Sequence, residues 1–161
     1  MKHSGVSPSS FNARTQAQIE AALRGPVSVP ASAPTPPRKL RHEESETQRD
    51  VITWWNLAHR GLGVSFQGLL YAVPNGGSRN PAEAGILKAE GVRSGVPDLA
   101  LDFPAGRYHG MRIEMKSAKG IVSTEQKEFI CELTRQGFYV RTCYSFEEAV
   151  GAITAYLRRE V

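Results

Sequence analysis

Cysteine is scarce in this chain. Cys131 and Cys143 are its only two, and neither has a partner at the spacing of a zinc or redox motif, which argues against a disulfide scaffold or a cysteine metal ribbon. Two buried thiols in a reducing compartment are expected instead. Histidine is nearly as sparse, and His3, His42, His59 and His109 show no ligand spacing, so a histidine metal centre is not expected. No long apolar run and no signal-peptide pattern occurs, so neither export nor membrane insertion is expected and a cytoplasmic protein is. Strong charge of one sign is also missing. A net charge of +4 is compatible with a polyanionic partner without requiring one.

At 161 residues the chain most simply holds one domain. Residues 1–42 are rich in Ser, Ala and Pro, culminating in the run from Val27 to Pro37, and read as an extended tail with a short helix over Ser10–Arg24. Arg38, Lys39 and Arg41 form a basic edge of that tail. The folded domain is expected over 43–161. Its first helix, from about Glu43 to Arg60, carries an apolar stripe of Val51, Trp55, Ala58 and Leu62, with both tryptophans read as core. Projected back along the helix, Glu44 and Gln48 fall on the inward stripe while Glu46 points away. An inward acid needs a partner or a metal, unless both acids simply favour the helix N-terminus.

The most informative stretch runs from Gly95 through Pro97-Asp98 to Asp102, then through a Pro- and Gly-containing turn to Met111-Arg112-Ile113-Glu114-Met115-Lys116. Alternation puts Met111, Ile113 and Met115 on an apolar face and Arg112, Glu114 and Lys116 on the other. The turn between the runs predicts an antiparallel hairpin, which would bring Asp98 close to Glu114 and Lys116. Asp98, Glu114 and the main-chain carbonyl of Met115 would suffice for Mg²⁺, with Lys116 orienting a water or neutralising developing charge. Phosphodiester hydrolysis is the reaction that such a set suits.

Other residues carry two readings each. Arg93 and Ser94, in a glycine-bounded loop before Pro97, either hold substrate phosphate or serve as a plain connector. Lys119 is a phosphate-contact candidate or an exposed lysine. Ser123 and Gln126 form a capping box for a helix reaching Gln136, yet Gln126 also shares the inward face of Phe129, Ile130 and Leu133.

Pro97-Asp98 with Glu114-Met115-Lys116 resembles the PD-(D/E)XK nuclease signature. Asn75-Gly76-Gly77, Leu87 to Asp98, Glu114 to Ser117 and Ser123-Thr124-Glu125-Gln126, in that order, resemble the VRR-NUC family of phage and repair nucleases across roughly 43–161. The resemblance implies an α/β fold with a restriction-endonuclease-like core, a mixed β-sheet flanked by helices in the order αβββαβ with an inserted helix after the first strand. It also implies that Asn75 aims its amide at the cleft, where turn geometry is the alternative. Glu44 takes the place of a helix-borne glutamate holding a second metal or its water, and Gln126 belongs to the active-site motif. The activity implied is a Mg²⁺- or Mn²⁺-dependent DNA endonuclease, structure-specific or nicking, acting as a homodimer in a bacterial or phage-infected cell. The rivals are a catalytically silent nucleic-acid-binding module of the same fold and a small regulatory protein whose Pro-rich tail recruits a partner.

Overall fold

The alternation of Met111, Ile113 and Met115 marks the strand around which the domain is built. The computed structural model describes residues 37–74 and 81–161, without the side chains of 37–42 and 81–84. Helix α1 (Pro37–Ala58) leads through a short 3-10 turn to strand β1 (Leu70–Ala72). Helix α2 (Pro81–Ala89), strand β2 (Leu99–Leu101), strand β3 (Met111–Met115), helix α3 (Thr124–Arg135), strand β4 (Tyr139–Cys143) and helix α4 (Phe146–Leu157) follow. The four strands form one sheet in the order β1-β2-β3-β4. β2 pairs antiparallel with β1 and β3, whereas β4 runs parallel to β3 after the α3 crossover. This is the mixed, helix-flanked α/β sheet with an inserted helix that the sequence predicts.

α1 begins at Pro37, six residues before the expected Glu43. The Pro- and basic-rich composition masked that first turn, but proline is well suited to the start of a helix, where its missing N–H has no intrahelical partner anyway. The short helix expected over Ser10–Arg24 and the Asn75 turn lie outside the described residues.

One face of the sheet meets α1 and α4. Met111, Ile113, Met115, Leu99 and Leu101 pack there with Val51 and Trp55 of α1 and Ala149, Ile153 and Tyr156 of α4. Fully burying one such side chain is worth about 1.5–3 kcal/mol, so this face supplies most of the drive to fold. The Trp55 indole donates to the Gln67 carbonyl at 2.6 Å, and Trp54 packs half-buried at the margin. The other face is covered more sparsely. α3 lays Ile130 over Val140 and Val122, with Leu133 and Phe138 alongside, on the β4 side. Cys131 and Cys143 are free thiols, and Cys143 is buried. Among the described residues no helix is long and apolar enough to cross a membrane.

Candidate active site

The β2–β3 register decides where the acids go. Leu99 pairs with Ile113, so one step further sets Asp98 opposite Glu114, and a second sets Pro97 opposite Met115. Proline has no N–H, and the ladder cannot continue through it. The Met115 N–H turns instead to the Asp98 carboxylate, donating to Oδ2 at 2.8 Å. Pro97 likewise offers no ladder donor to the Met115 carbonyl. The proline before Asp98 thus frees one main-chain oxygen at the strand end where the acids meet.

Glu114 stands in the middle of this arrangement and is only 1% exposed. Its Oε1 accepts from Lys116 Nζ at 2.6 Å and also from the Gln126 side-chain amide. Its Oε2 is buried with no hydrogen-bond partner among the described residues. Burial, and after it the Asp98 carboxylate, lifts the Glu114 carboxyl to about 8 against the pull of Lys116. Asp98 is raised too, chiefly by burial, while the Met115 N–H and Lys116 draw it down. Burial alone would lower the Lys116 ammonium, but Glu114, Glu44 and Asp98 together hold it above its ordinary value. Three carboxyls around one ammonium carry an excess of negative charge. Of the bonded pair, both are pushed toward their protonated forms, Glu114 mainly by burial and Lys116 by the carboxylates around it.

Gln126 resolves its two readings by serving both. Its Oε1 accepts from the Ser123 N–H at 2.8 Å, and the Ser123 hydroxyl accepts from the Gln126 N–H at 3.2 Å, closing the capping box. That leaves its amide nitrogen free to donate to Glu114. The start of α3 is further held against the Gly95 loop. Gly95 has φ +86°, and a β-carbon there would stand 2.7 Å from the Glu125 carbonyl.

Glu44 is half-buried on α1, and its Oε1 accepts from the Ser117 N–H at 2.9 Å, whereas Glu46 is exposed. The inward stripe read from the sequence therefore coincides with the half-buried acid of the two. Ser117 is buried, and its hydroxyl is the second buried, unpartnered side-chain oxygen among the described residues. Arg93 is exposed and reaches back 3.4 Å to the Lys88 carbonyl, and Ser94 and Lys119 are exposed as well. None of these three is drawn into the acid cluster by a hydrogen bond to it. Asn75 lies outside the described residues.

One neighbour escaped the sequence reading. Tyr144 follows β4 just where Lys116 follows β3, since Lys116 N–H donates to the Cys143 carbonyl at 2.9 Å. Burial raises its phenol, with Lys116 lowering it and Glu114 among the groups raising it. Only the parallel β3–β4 register reveals this proximity.

A divalent cation fits these donors. Among the described residues no three His, Cys, Asp or Glu side chains gather as a ligand cluster. Two carboxylates with a ladder-free carbonyl do not need a third, because Mg²⁺ keeps several waters. A buried, unpartnered Glu114 oxygen in a patch of surplus negative charge is an orphan that a cation would satisfy.

Fold and site together define a nuclease-like α/β domain, with paired acids and a lysine at the end of a central hairpin. The VRR-NUC domain matches residues 42–147, and the chain belongs to that family. Among solved structures, a VRR_NUC domain protein is similar at 27% identity with a TM-score of 0.59, over 72% of this chain and 88% of that one. No curated protein matches the chain. The matched segment holds Glu44, Asp98, Glu114, Lys116 and Gln126.

Proposed function

We propose that the protein is a metal-dependent endonuclease that hydrolyses phosphodiester bonds of DNA. The observation that carries this reading is the half-engaged Glu114 carboxylate: two donors hold Oε1, while Oε2 is buried beside Asp98 with no donor among the described residues. Asp98, Glu114 and the Met115 carbonyl would hold Mg²⁺ or Mn²⁺, with Glu44 placed to serve a second metal. When bound, such a cation supplies Lewis-acid activation of the phosphodiester and offsets its charge. Lys116, with only a tenth of its side chain exposed, orients the attacking water and stabilises the charge that develops on phosphorus-bound oxygen. Gln126 and Lys116 fix the Glu114 carboxylate between them. Arg93, Ser94 and Lys119 are free to meet the DNA backbone, and Asn75 is assigned to the cleft through the family resemblance.

Structure-specific or nicking cleavage and the homodimer also come from the family resemblance, and the cytoplasmic setting from cysteine usage. The silent binding module has lost ground because the acid, acid-x-lysine set is complete. The direct test is cleavage of end-labelled duplex, single-stranded, flap and four-way-junction DNA with Mg²⁺, Mn²⁺ or EDTA. Cutting that requires metal is expected; binding without cutting under every metal would transfer the assignment to the silent module.

The double duty of Gln126 gives a separable prediction. Ser123→Ala removes the serine's half of the capping box and its bond to Glu125 but leaves the hold on Glu114, and is expected to cost about 1 kcal/mol of stability while leaving kcat near wild type. Gln126→Ala removes the glutamine's half of the capping box and the hold on Glu114, and should lower kcat or metal affinity by about 10–100-fold, the usual cost of losing a residue that orients a metal ligand. Thermal melts and steady-state cleavage of both variants check it. Equal kcat for the two would reduce Gln126 to a capping residue.

A further inference from the structure

The face of the sheet that carries the acids continues past them, and there it bears an aromatic side chain. Tyr71 pairs with Ala100, and Ala100 with Arg112, so Tyr71, Ala100 and Arg112 form one row across the face. Asp98 and Glu114 lie in the next row. The two rows are two residues apart along the strands, roughly 7 Å. α3 covers this face on the β4 side, while Tyr71, on β1, is 42% exposed.

Its ring is braced. The Tyr71 hydroxyl donates to Asp102 Oδ2 at 2.8 Å, and Asp102 Oδ1 is paired with Arg112 at 3.0 Å. Arg112 is in turn fixed by donating to the Met111 carbonyl at 2.9 Å and by lying 4.5 Å from the centre of the Phe138 ring. Arg112 neutralises Asp102, so the ledge does not confront a DNA backbone with a bare carboxylate. With its hydroxyl tied down, the tyrosine offers a ring of fixed orientation at little entropic cost.

We propose that Tyr71 is a stacking platform for the base of a nucleotide flanking the scissile phosphate, with Asp102 and Arg112 as its positioning residues. Every base has a π-face, so such a platform is tolerant of sequence but demands a base that is not stacked in a duplex. It therefore favours DNA that is unpaired beside the cut. This inference rests on the nuclease reading for the location of the cut.

The test uses the full chain and oligonucleotides carrying 5-iododeoxyuridine at successive positions, irradiated in EDTA, with the crosslinked peptide mapped. Binding and cleavage of the same oligonucleotides are measured in parallel for wild type, Tyr71→Phe and Tyr71→Leu. The wild type should crosslink through Tyr71, most strongly with the label next to the mapped cut. Tyr71→Phe keeps the ring and should retain the crosslink. Tyr71→Leu should lose it, with affinity for single-stranded DNA falling and KM rising about tenfold while kcat changes little. Crosslinking that maps elsewhere, or Tyr71→Leu binding like wild type, would overturn the proposal and leave Tyr71 as a brace for Asp102. A wild type that cuts nothing with either metal would sink the nuclease reading instead. The crosslink, made without cleavage and on the unaltered protein, decides Tyr71 in that case and also if Tyr71→Leu melts early.

Discussion

Replacing Lys116 with methionine is expected to lower kcat by about 100- to 10,000-fold, the range for losing a group that handles the proton or charge of the transition state. DNA binding should survive. Methionine preserves the buried stem, which packs so tightly that a β-carbon on Gly120 would stand 3.0 Å from Lys116 Cδ. What disappears is the ammonium that donates to Glu114 Oε1 at 2.6 Å. Removing one partner of a buried pair ordinarily costs several kcal/mol, because a lone charge is left behind. Glu114 escapes that penalty by holding a proton, being already raised to about 8. Loss of activity with a small change in melting temperature is therefore the expected signature, measured by single-turnover cleavage, filter binding and thermal melts. A variant that cuts at the wild-type rate would remove Lys116 from the chemistry.

The site was legible in the sequence to the extent that it depends on the β2–β3 hairpin. Period-two alternation of Met111, Ile113 and Met115 assigned the faces, and the short turn from Phe103 to Gly110 left one plausible pairing, so Asp98 and Glu114 had to meet. Glu44 was legible for a similar reason, since helical periodicity extends a stripe backwards from Val51 and Trp55. Gln126 offered two readings because a glutamine side chain has two ends, and only coordinates reveal that the oxygen caps the helix while the nitrogen reaches Glu114. Tyr144 and the brace from Tyr71 to Arg112 were not legible. Tyr144 depends on the register of a parallel pair, set by how α3 seats and not by any local turn. Tyr71 and Asp102 lie 31 residues apart, the first on β1 and the second just past the end of β2, where no periodicity connects them. The early start of α1 was hidden because a proline-rich composition reads as linker even where proline opens a helix.

Without divalent metal, the protein is expected to lose stability as pH rises from about 4.5 to about 8, the span between the ordinary and the folded-state values for Glu114. A carboxyl whose folded-state pKa is raised contributes its stability below the unfolded value and loses it as pH climbs through the folded one, because the folded state must then bury a charge that the unfolded state solvates. Asp98, also raised by burial, acts with the same sign. Lys116, raised above 10.5, does not titrate within this window. A shift of this size corresponds to a loss on the order of a few kcal/mol, or roughly 10 °C in melting temperature. Mg²⁺ or Mn²⁺ should reverse the slope, since binding between ionised Asp98 and Glu114 displaces the proton and becomes stronger as pH rises. Glu114→Gln removes the titrating group and a ligand together, so its melting temperature should vary less with pH in EDTA and respond little to metal. The decisive quantity is the difference between wild type and Glu114→Gln, melted at about pH 5, 7 and 9 with EDTA and with Mn²⁺, because groups elsewhere cancel in it. A wild type that tracks Glu114→Gln at every pH, with and without metal, would mean that Glu114 is neither the proton store nor the cation ligand, and the proposed metal site would have to be placed elsewhere.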